Sequence, residues 1–303
     1  MPVAGLLILA IILSATSGLY AGASFFPQQA PYVTITTTIY TTTTSWTTSI
    51  IWSTVTTVVY GVWTTVQYTT STSTVTVTPR TAKTVAANGN ARISTAQFKF
   101  GGASGLFDGN GAYLSTPDSA DWAFGSGDFT IDFWVRFNSL PAVRSAIYCQ
   151  FVDWDHEIVL ALENIGGTYY WAFLDWEAAY VVYLRATTTP SRNTWYHVAV
   201  VRQGVANWFI FLDGVSLGAS VVAGSASASV TDLTASLSVG AEPAIRYFDG
   251  WLDDFRVSKG VARWTSNFTP PTSAYTNDAN TVLLLHMDGA DGSTTFIDDV
   301  TSG

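Results

Sequence analysis

Tyr247-Phe248-Asp249-Gly250-Trp251-Leu252-Asp253-Asp254-Phe255-Arg256-Val257 is the stretch from which the fold can be read. At the period of two that a strand imposes, Trp251, Asp253, Phe255 and Val257 share one face, and Leu252, Asp254 and Arg256 the other. The first face is apolar apart from Asp253, and a carboxylate in a core-facing row needs hydrogen bonds, a cation or a metal. Far upstream, Phe129, Ile131, Phe133, Val135 and Phe137 point one way while Thr130, Asp132, Trp134 and Arg136 point the other. Two long alternating strands so far apart predict a two-layer β-sandwich with a polar element set into it. On this reading Arg136 pairs with Asp132, and Arg256 with Asp254, each on one strand face.

Working outward, the chain from Lys83 onward is a series of short strands separated by glycine and Asp/Asn turns. The predicted strands include 103–107, 113–115, 130–137, 146–152, 158–162, 169–174, 181–186, 195–202, 208–212, 236–239, 250–257 and 281–287. Asp213-Gly214 is a tight-turn signal between 208–212 and 215–217. Trp171, Trp195 and Trp208 are expected in the core or between sheets. Val282 to Met287 is apolar on nearly both faces, so it is expected inside a sheet with neighbours on both sides.

Composition bounds the rest. The 303 residues carry a formal charge of -9 with 12% charged residues, which argues against a nucleic-acid partner. Cys149 is the one cysteine; it is read as a small buried apolar residue, and stability must come from the core. Three segments follow. Residues 1–26 form an apolar stretch without the positive opening of a typical leader, either a cleaved secretory signal or a retained membrane anchor. Residues 27–79 are threonine-rich and β-prone, with no charged side chain before Arg80; they are either a fibre shaft wound from several chains, which Trp46, Trp52 and Trp63 favour, or an extended stalk. Residues 80–303 form the head.

The head resembles a known family on motifs ordered along the chain: Phe100-Gly101-Gly102-Ala103-Ser104, Leu106-Phe107-Asp108-Gly109, Asp128 to Val135, Trp195-Tyr196-His197-Val198-Ala199, Phe248 to Arg256, and Val261-Ala262-Arg263-Trp264. These look like the laminin-G-like jelly roll of the concanavalin A-like lectin/glucanase superfamily, in particular modules of phage tail and other surface proteins. The resemblance implies an all-β, antiparallel jelly-roll sandwich. In such modules a piece like Leu283 to Gly289 through Phe296-Ile297-Asp298 comes first, followed by something like Lys83 to Ala91. Here it comes last, as in a circular permutation. Gly303 is then expected near Lys83, unless 282–287 completes a neighbouring subunit's sheet.

Enzymes of this superfamily use an E-x-D-x-x-E-like run whose carboxylates stand about 5–5.5 Å apart for a retaining mechanism. No such run occurs here, and His156, His197 and His286 have no nucleophile elbow nearby, so the reading is non-catalytic. Asp153-Trp154-Asp155-His156-Glu157 and Asp175-Trp176-Glu177 are read as turns. Either their exposed tryptophans stack on sugar rings while Asp153, Asp155, Glu157, Asp175 and Glu177 accept sugar hydroxyls or bind a hard cation, or Trp154 and Trp176 cap the sandwich edge among solvated acids. The resemblance also places Asp108, Asp253 and Asp288 near one sheet edge, where Ca²⁺ would suit their oxygens; an arginine beside Asp253 is the alternative. Asn267-Phe268-Thr269 is a glycosylation sequon, meaningful on an exported chain. The expected function is a surface-displayed adhesion or binding protein, extracellular or on a virion, recognising glycans or a cell-surface polymer. Membrane anchoring through 1–26 and homo-oligomerisation through the threonine-rich segment go with it. The alternative is a structural subunit of a virion or filament, with the jelly roll as decoration.

Overall fold

The computed structural model describes residues 81–243 and 245–300, together with two short strands nearer the start of the chain. The chain divides into two units, Met1–Pro79 and Arg80–Gly303. In the first, β1 (Ser14–Thr16) pairs antiparallel with β2 (Thr34–Thr36). The rest of the expected anchor, 1–26, and of the threonine-rich segment, 27–79, lies outside the described residues.

The second unit opens with β3 (Ala86–Asn88), β4 (Arg92–Ser94), β5 (Ser104–Asp108) and β6 (Tyr113–Thr116). The long strands follow: β7 (Phe129–Phe137), β8 (Arg144–Asp153), β9 (His156–Ile165), β10 (Thr168–Glu177), β11 (Tyr180–Thr188) and β12 (Trp195–Gln203). Then come β13 (Asn207–Leu212), β14 (Val215–Ser216), β15 (Ser220–Gly224), β16 (Leu237–Val239), β17 (Ala241–Glu242) and β18 (Arg246–Tyr247). The last two are β19 (Asp249–Lys259) and β20 (Thr281–Leu285). One antiparallel sheet runs β15-β11-β10-β9-β8-β16-β6-β3, the other β14-β13-β12-β7-β19-β5-β4, with β20 added on β19. There is no helix among the described residues.

The two inner faces make the core, as alternation requires. Phe129, Ile131, Phe133, Val135 and Phe137 of β7 are fully buried against Leu160, Trp171 and Phe173 of the facing sheet. Phe133 meets Trp171 edge-on at 5.8 Å, the arrangement favoured by aromatic quadrupoles. Trp208 joins this core; Trp195 instead packs on the outer face of the second sheet, beside Trp134 and Tyr275. The Asp213-Gly214 turn forms as expected: both residues have positive φ, 48° and 75°, the type I′ geometry that matches strand twist.

Strand β19 departs from simple alternation. Asp253 stands opposite Trp134 and Arg256 opposite Asp132, so three steps on β19 match two on β7. The extra residue is Asp254, with φ of 46°, a left-handed conformation that aspartate tolerates better than most residues. This bulge re-aims the strand. Before it, Leu252 faces the core; after it, Phe255 and Val257 do. Asp253 and Trp251 therefore lie on the outer side, not in the core row with Phe255 as alternation predicts.

The bulge also reassigns the ion pairs. Arg256 donates to both oxygens of Asp132 at 3.0 and 2.8 Å, rather than to Asp254. Asp254 accepts the Tyr275 N–H at 2.9 Å and pairs with His286, while Arg136 donates to Asn138. Asp132 is fully buried. Burial works against its charge, but Arg256 and His197 hold its carboxyl below the usual carboxylate range. His197 meets the Tyr275 hydroxyl at 2.8 Å, and the Arg256 guanidinium lies over the Tyr275 ring.

At the seam the chain closes on itself. All five residues of β20 are buried, and β20 pairs with the half of β19 that β5 leaves free. It has one strand neighbour, not two. Its other edge is met by a short return segment: Leu284 N–H donates to Asp298, and Asp299 N–H to Leu284 O. A carboxylate that takes ladder donors in this way blunts an edge against further strand addition. Asp298 also accepts the Lys83 N–H at 2.6 Å, and Ile93 exchanges backbone hydrogen bonds with 292–293. Start and end of the head thus meet, as a permuted order requires; Gly303 itself lies outside the described residues.

Candidate binding groove

A row of small side chains shapes the outer face of the sheet that runs from β15 to β3. Ala146 on β8 is opposite Ala161 on β9, and Ala161 is opposite Ala172 on β10. Long polar side chains cover this bed. Arg144 reaches Glu157 and Glu163, two β9 residues that flank Val159 and Ala161, at 3.5 and 3.9 Å. It also lies 3.0 Å from Glu242 on β17, an ionic contact without hydrogen-bond geometry. Glu163 accepts from the Tyr183 hydroxyl at 2.6 Å and from Arg185 at 3.1 Å, and Arg246 bonds Glu242.

Above this layer is a groove of about 330 Å³. Val143 and Ile165 bound one end, and Trp154, Trp176 and Tyr180 the other. Trp154 is 63% exposed on the two-residue turn between β8 and β9. The Trp176 ring stands edge-on to Tyr180 at 4.6 Å, and Tyr180 stacks on Tyr183 at 4.7 Å. Burial, then the nearby Glu242 charge, raises the Glu157 carboxyl above its usual range despite Arg144. Such a site offers flat apolar faces beside fixed, desolvated polar groups, the usual make-up of small-molecule pockets.

The structure separates the candidate sugar-binding residues. Trp154, Glu157 and Trp176 line the groove. Asp153 and Asp155 stay on the turn, where Asp153 accepts the Asp155 N–H and bonds His156. Asp175-Trp176-Glu177 is not a turn but the end of β10; the turn follows at Ala178, with φ of 53°. Asp175 consequently points inward, is fully buried and accepts the Thr231 N–H at 2.8 Å. Burial pushes its carboxyl up to about 6, so it does not belong to a surface set. Glu177 sits 3.8 Å from His156, and Ala178 N–H donates to Asp155 O, tying the two hairpin ends together.

Arg144, Glu163, Tyr180, Arg185 and Arg246 complete the groove without having stood out in the sequence. They are scattered over a hundred positions, and only strand register assembles them.

The family model described as Laminin_G_3, of the concanavalin A-like lectin/glucanases superfamily, matches residues 108–265, more than half of the chain. The chain belongs to this family. No curated protein matches it. Among solved structures, full-length tailspike protein 2 from the Escherichia coli O157:H7 bacteriophage CAB120 is similar at 11% identity and a TM-score of 0.51, over 71% of this chain and 31% of that one. The Laminin_G_3 chain thus spans less than a third of the tailspike's length. Domain 4 of AbnA, an extracellular arabinanase of Geobacillus stearothermophilus, in complex with arabinotriose, has 16% identity and a TM-score of 0.47, over 59% and 83%. The binding domain of Paraclostridial Mosquitocidal Protein 1 has 13% and 0.45, over 59% and 44%.

The Laminin_G_3 resemblance raised calcium at Asp108, Asp253 and Asp288, and these three do not fit one ion. Asp108 is in register with Asp249, four residues before Asp253 on the same strand, a separation of about 13 Å along a β-strand. Asp108 is bonded to Asn90 and to the Asn110 N–H. Among the described residues, no group of three or more His, Cys, Asp or Glu is placed to hold a metal. Asp253 is satisfied another way: it accepts the Lys99 and Phe100 N–H groups at 2.6 and 3.1 Å, and no arginine among the described residues pairs with it.

Asp253 titrates in a telling direction. Burial is the main cause, with Asp254 and Asp288 adding to it, that pushes its carboxyl up to about 7 against the two N–H bonds. A folded value above the unfolded value of about 3.9 means stability that is full below that pH and lost as pH rises toward 7. Asp253→Asn keeps an acceptor for both N–H groups and removes the charge. Its melting temperature at pH 8 is expected to exceed that of the parent by on the order of 5 °C, with the gap closing at pH 4 and chelator moving neither curve. Equal melting at both pH values, or a chelator-dependent parent, counts against this account.

Proposed function

We propose that this chain is a non-catalytic, surface-displayed binding protein that recognises a glycan through the groove on the outer face of the sheet that holds β8 to β11. The observation that carries this reading is the cluster of Trp154, Trp176 and Tyr180 at the mouth of a polar-floored groove. Aromatic faces cover the apolar side of a sugar ring, and fixed polar groups beside them orient its hydroxyls. Binding without hydrolysis is supported by the missing carboxylate run on any strand and by the engagement of Glu157 and Glu242 with Arg144. Binding is centred on a sheet face, with the 153–155 turn as one wall, rather than on loops alone. Anchoring through 1–26, assembly through 27–79, glycosylation at the exposed Asn267 and display on a cell or virion surface belong to the same proposal.

Trp154→Ala is the sharpest test, because so exposed a side chain contributes little to folding. The full-length chain is expected to bind glycans on an array, and the variant to bind at least roughly tenfold more weakly, the scale of losing an anchoring aromatic. An array on which the parent protein binds nothing would sink the reading. The structural-subunit alternative predicts that particles or filaments still assemble when residues 80–303 are deleted.

A further inference from the structure

We infer that the groove selects uncharged, hydroxyl-rich oligosaccharides and rejects those bearing carboxylates, an inference that rests on the glycan-binding reading above. Three guanidiniums (Arg144, Arg185 and Arg246) line or floor the groove, and three carboxylates (Glu157, Glu163 and Glu242) engage them. Every arginine is held by at least one carboxylate, so none is left over to receive an anion. An anionic sugar would have to draw a guanidinium away from its partner. Glu242 is fully buried and Glu163 nearly so, and removing the partner from a buried charge is strongly unfavourable.

The hydrogen-bond balance points the same way. Among the residues that line or floor the groove, the buried side-chain oxygens that lack a hydrogen-bond partner are both on carboxylates, one each on Glu157 and Glu242. The floor is thus short of donors and rich in acceptors. A sugar hydroxyl brings a proton to that floor, whereas a carboxylate brings only further acceptors. Burial first, and then the Glu242 charge, raises the proton affinity of Glu157. The bed of Ala146, Ala161 and Ala172 lies beneath these ion pairs, and the burial of Glu163 and Glu242 lowers the local dielectric, which sharpens this discrimination.

The experiment compares the full-length chain and its Glu157→Gln variant, by calorimetry, on neutral trisaccharides and on uronic-acid trisaccharides of matched linkage, taking as neutral probe the best binder from the array. The parent is expected to prefer the neutral member by at least roughly tenfold. Glu157→Gln frees part of Arg144 and is expected to narrow that preference by weakening the neutral ligand and tolerating the acidic one. Trp154→Ala is expected to abolish both signals, which locates them in the groove. If the parent takes the uronic acid as well as or better than the neutral sugar, and Trp154→Ala removes that binding, the selectivity is overturned while glycan binding stands. If Glu157→Gln leaves the preference unchanged, the ion-pair floor is not its source and the inference also fails. Absence of binding to any member overturns both.

Discussion

A chain ending at Asn280 is expected to be recovered as unfolded, aggregated protein. Truncation there removes β20 and the return segment, and with them Val282, Leu283, Leu284, Leu285, Met287, Phe296 and Val300, all at least 95% buried. At about 1.5–3 kcal/mol for each large buried side chain, the loss is comparable to the whole stability of about 5–15 kcal/mol typical of a domain. The truncation also bares the 255–258 edge of β19, and an apolar edge of that kind recruits other chains. Near-ultraviolet circular dichroism and size-exclusion chromatography provide the readout. A peptide spanning 281–300, added during refolding, is expected to restore part of the native signal. A truncated head that stays folded, soluble and monomeric would show that closure at the seam is dispensable.

Arg256→Met is expected to be the most damaging single substitution away from the seam. It strands Asp132, which is fully buried and bonded to Arg256 through both oxygens. Breaking a buried pair from one side costs about 3–5 kcal/mol, or on the order of 10 °C in melting temperature for a domain of this size. Exchanging both members, Asp132→Leu with Arg256→Met, is expected to recover most of the loss, because no uncompensated charge remains. The acid side adds a second check. Asp132 is held below its usual range when folded, so its contribution is present above the unfolded value of about 3.9 and is lost as pH falls through the folded one. The double variant should lose less stability than the parent between pH 5 and pH 2. A single variant that melts with the parent would mean that the pair is not coupled to folding.

Strands of this head differ in how plainly their sequence shows which side faces the core, and the differences have physical causes. Strand β7 alternates without interruption, so the partition of Phe129, Ile131, Phe133, Val135 and Phe137 from Asp132 and Trp134 was legible. Strand β19 looked equally regular, yet one left-handed residue at Asp254 shifted half of it by one position. Nothing in Asp253-Asp254 marks a bulge, since no glycine or asparagine announces the positive φ. The same blindness turned Asp175-Trp176-Glu177 into a turn, because the true turn at Ala178-Ala179 lacks the usual turn chemistry.

The groove was legible only at its rim. Tryptophan in a short polar turn stood out at Trp154, and Trp176 was found for the wrong local reason. Its floor depends on Ala146, Ala161 and Ala172 standing side by side, a relation set by register across three strands. Alanine in a strand is unremarkable by itself. Arg144, Arg185 and Arg246 each read as ordinary surface charge until Glu157, Glu163 and Glu242 were brought beneath them. The meeting of the two ends of the head, by contrast, was expected from motif succession, and the Lys83–Asp298 bond makes that contact.

That closure governs how the protein is made. A ribosome adds about 5–20 residues per second, and Lys83 must wait for Asp298, 215 positions later. The delay is therefore about 10–40 s at those rates. Throughout it, β4 has β5 on one side and nothing on the other, since Ile93 finds its remaining partners at Gly292 and Ser293. The nascent chain thus carries an open strand edge directly behind a threonine-rich segment without a single charge to keep neighbouring copies apart. On a crowded polysome, a holding chaperone has its strongest claim on residues 86–94 during this interval, which ends when the C-terminal segment docks.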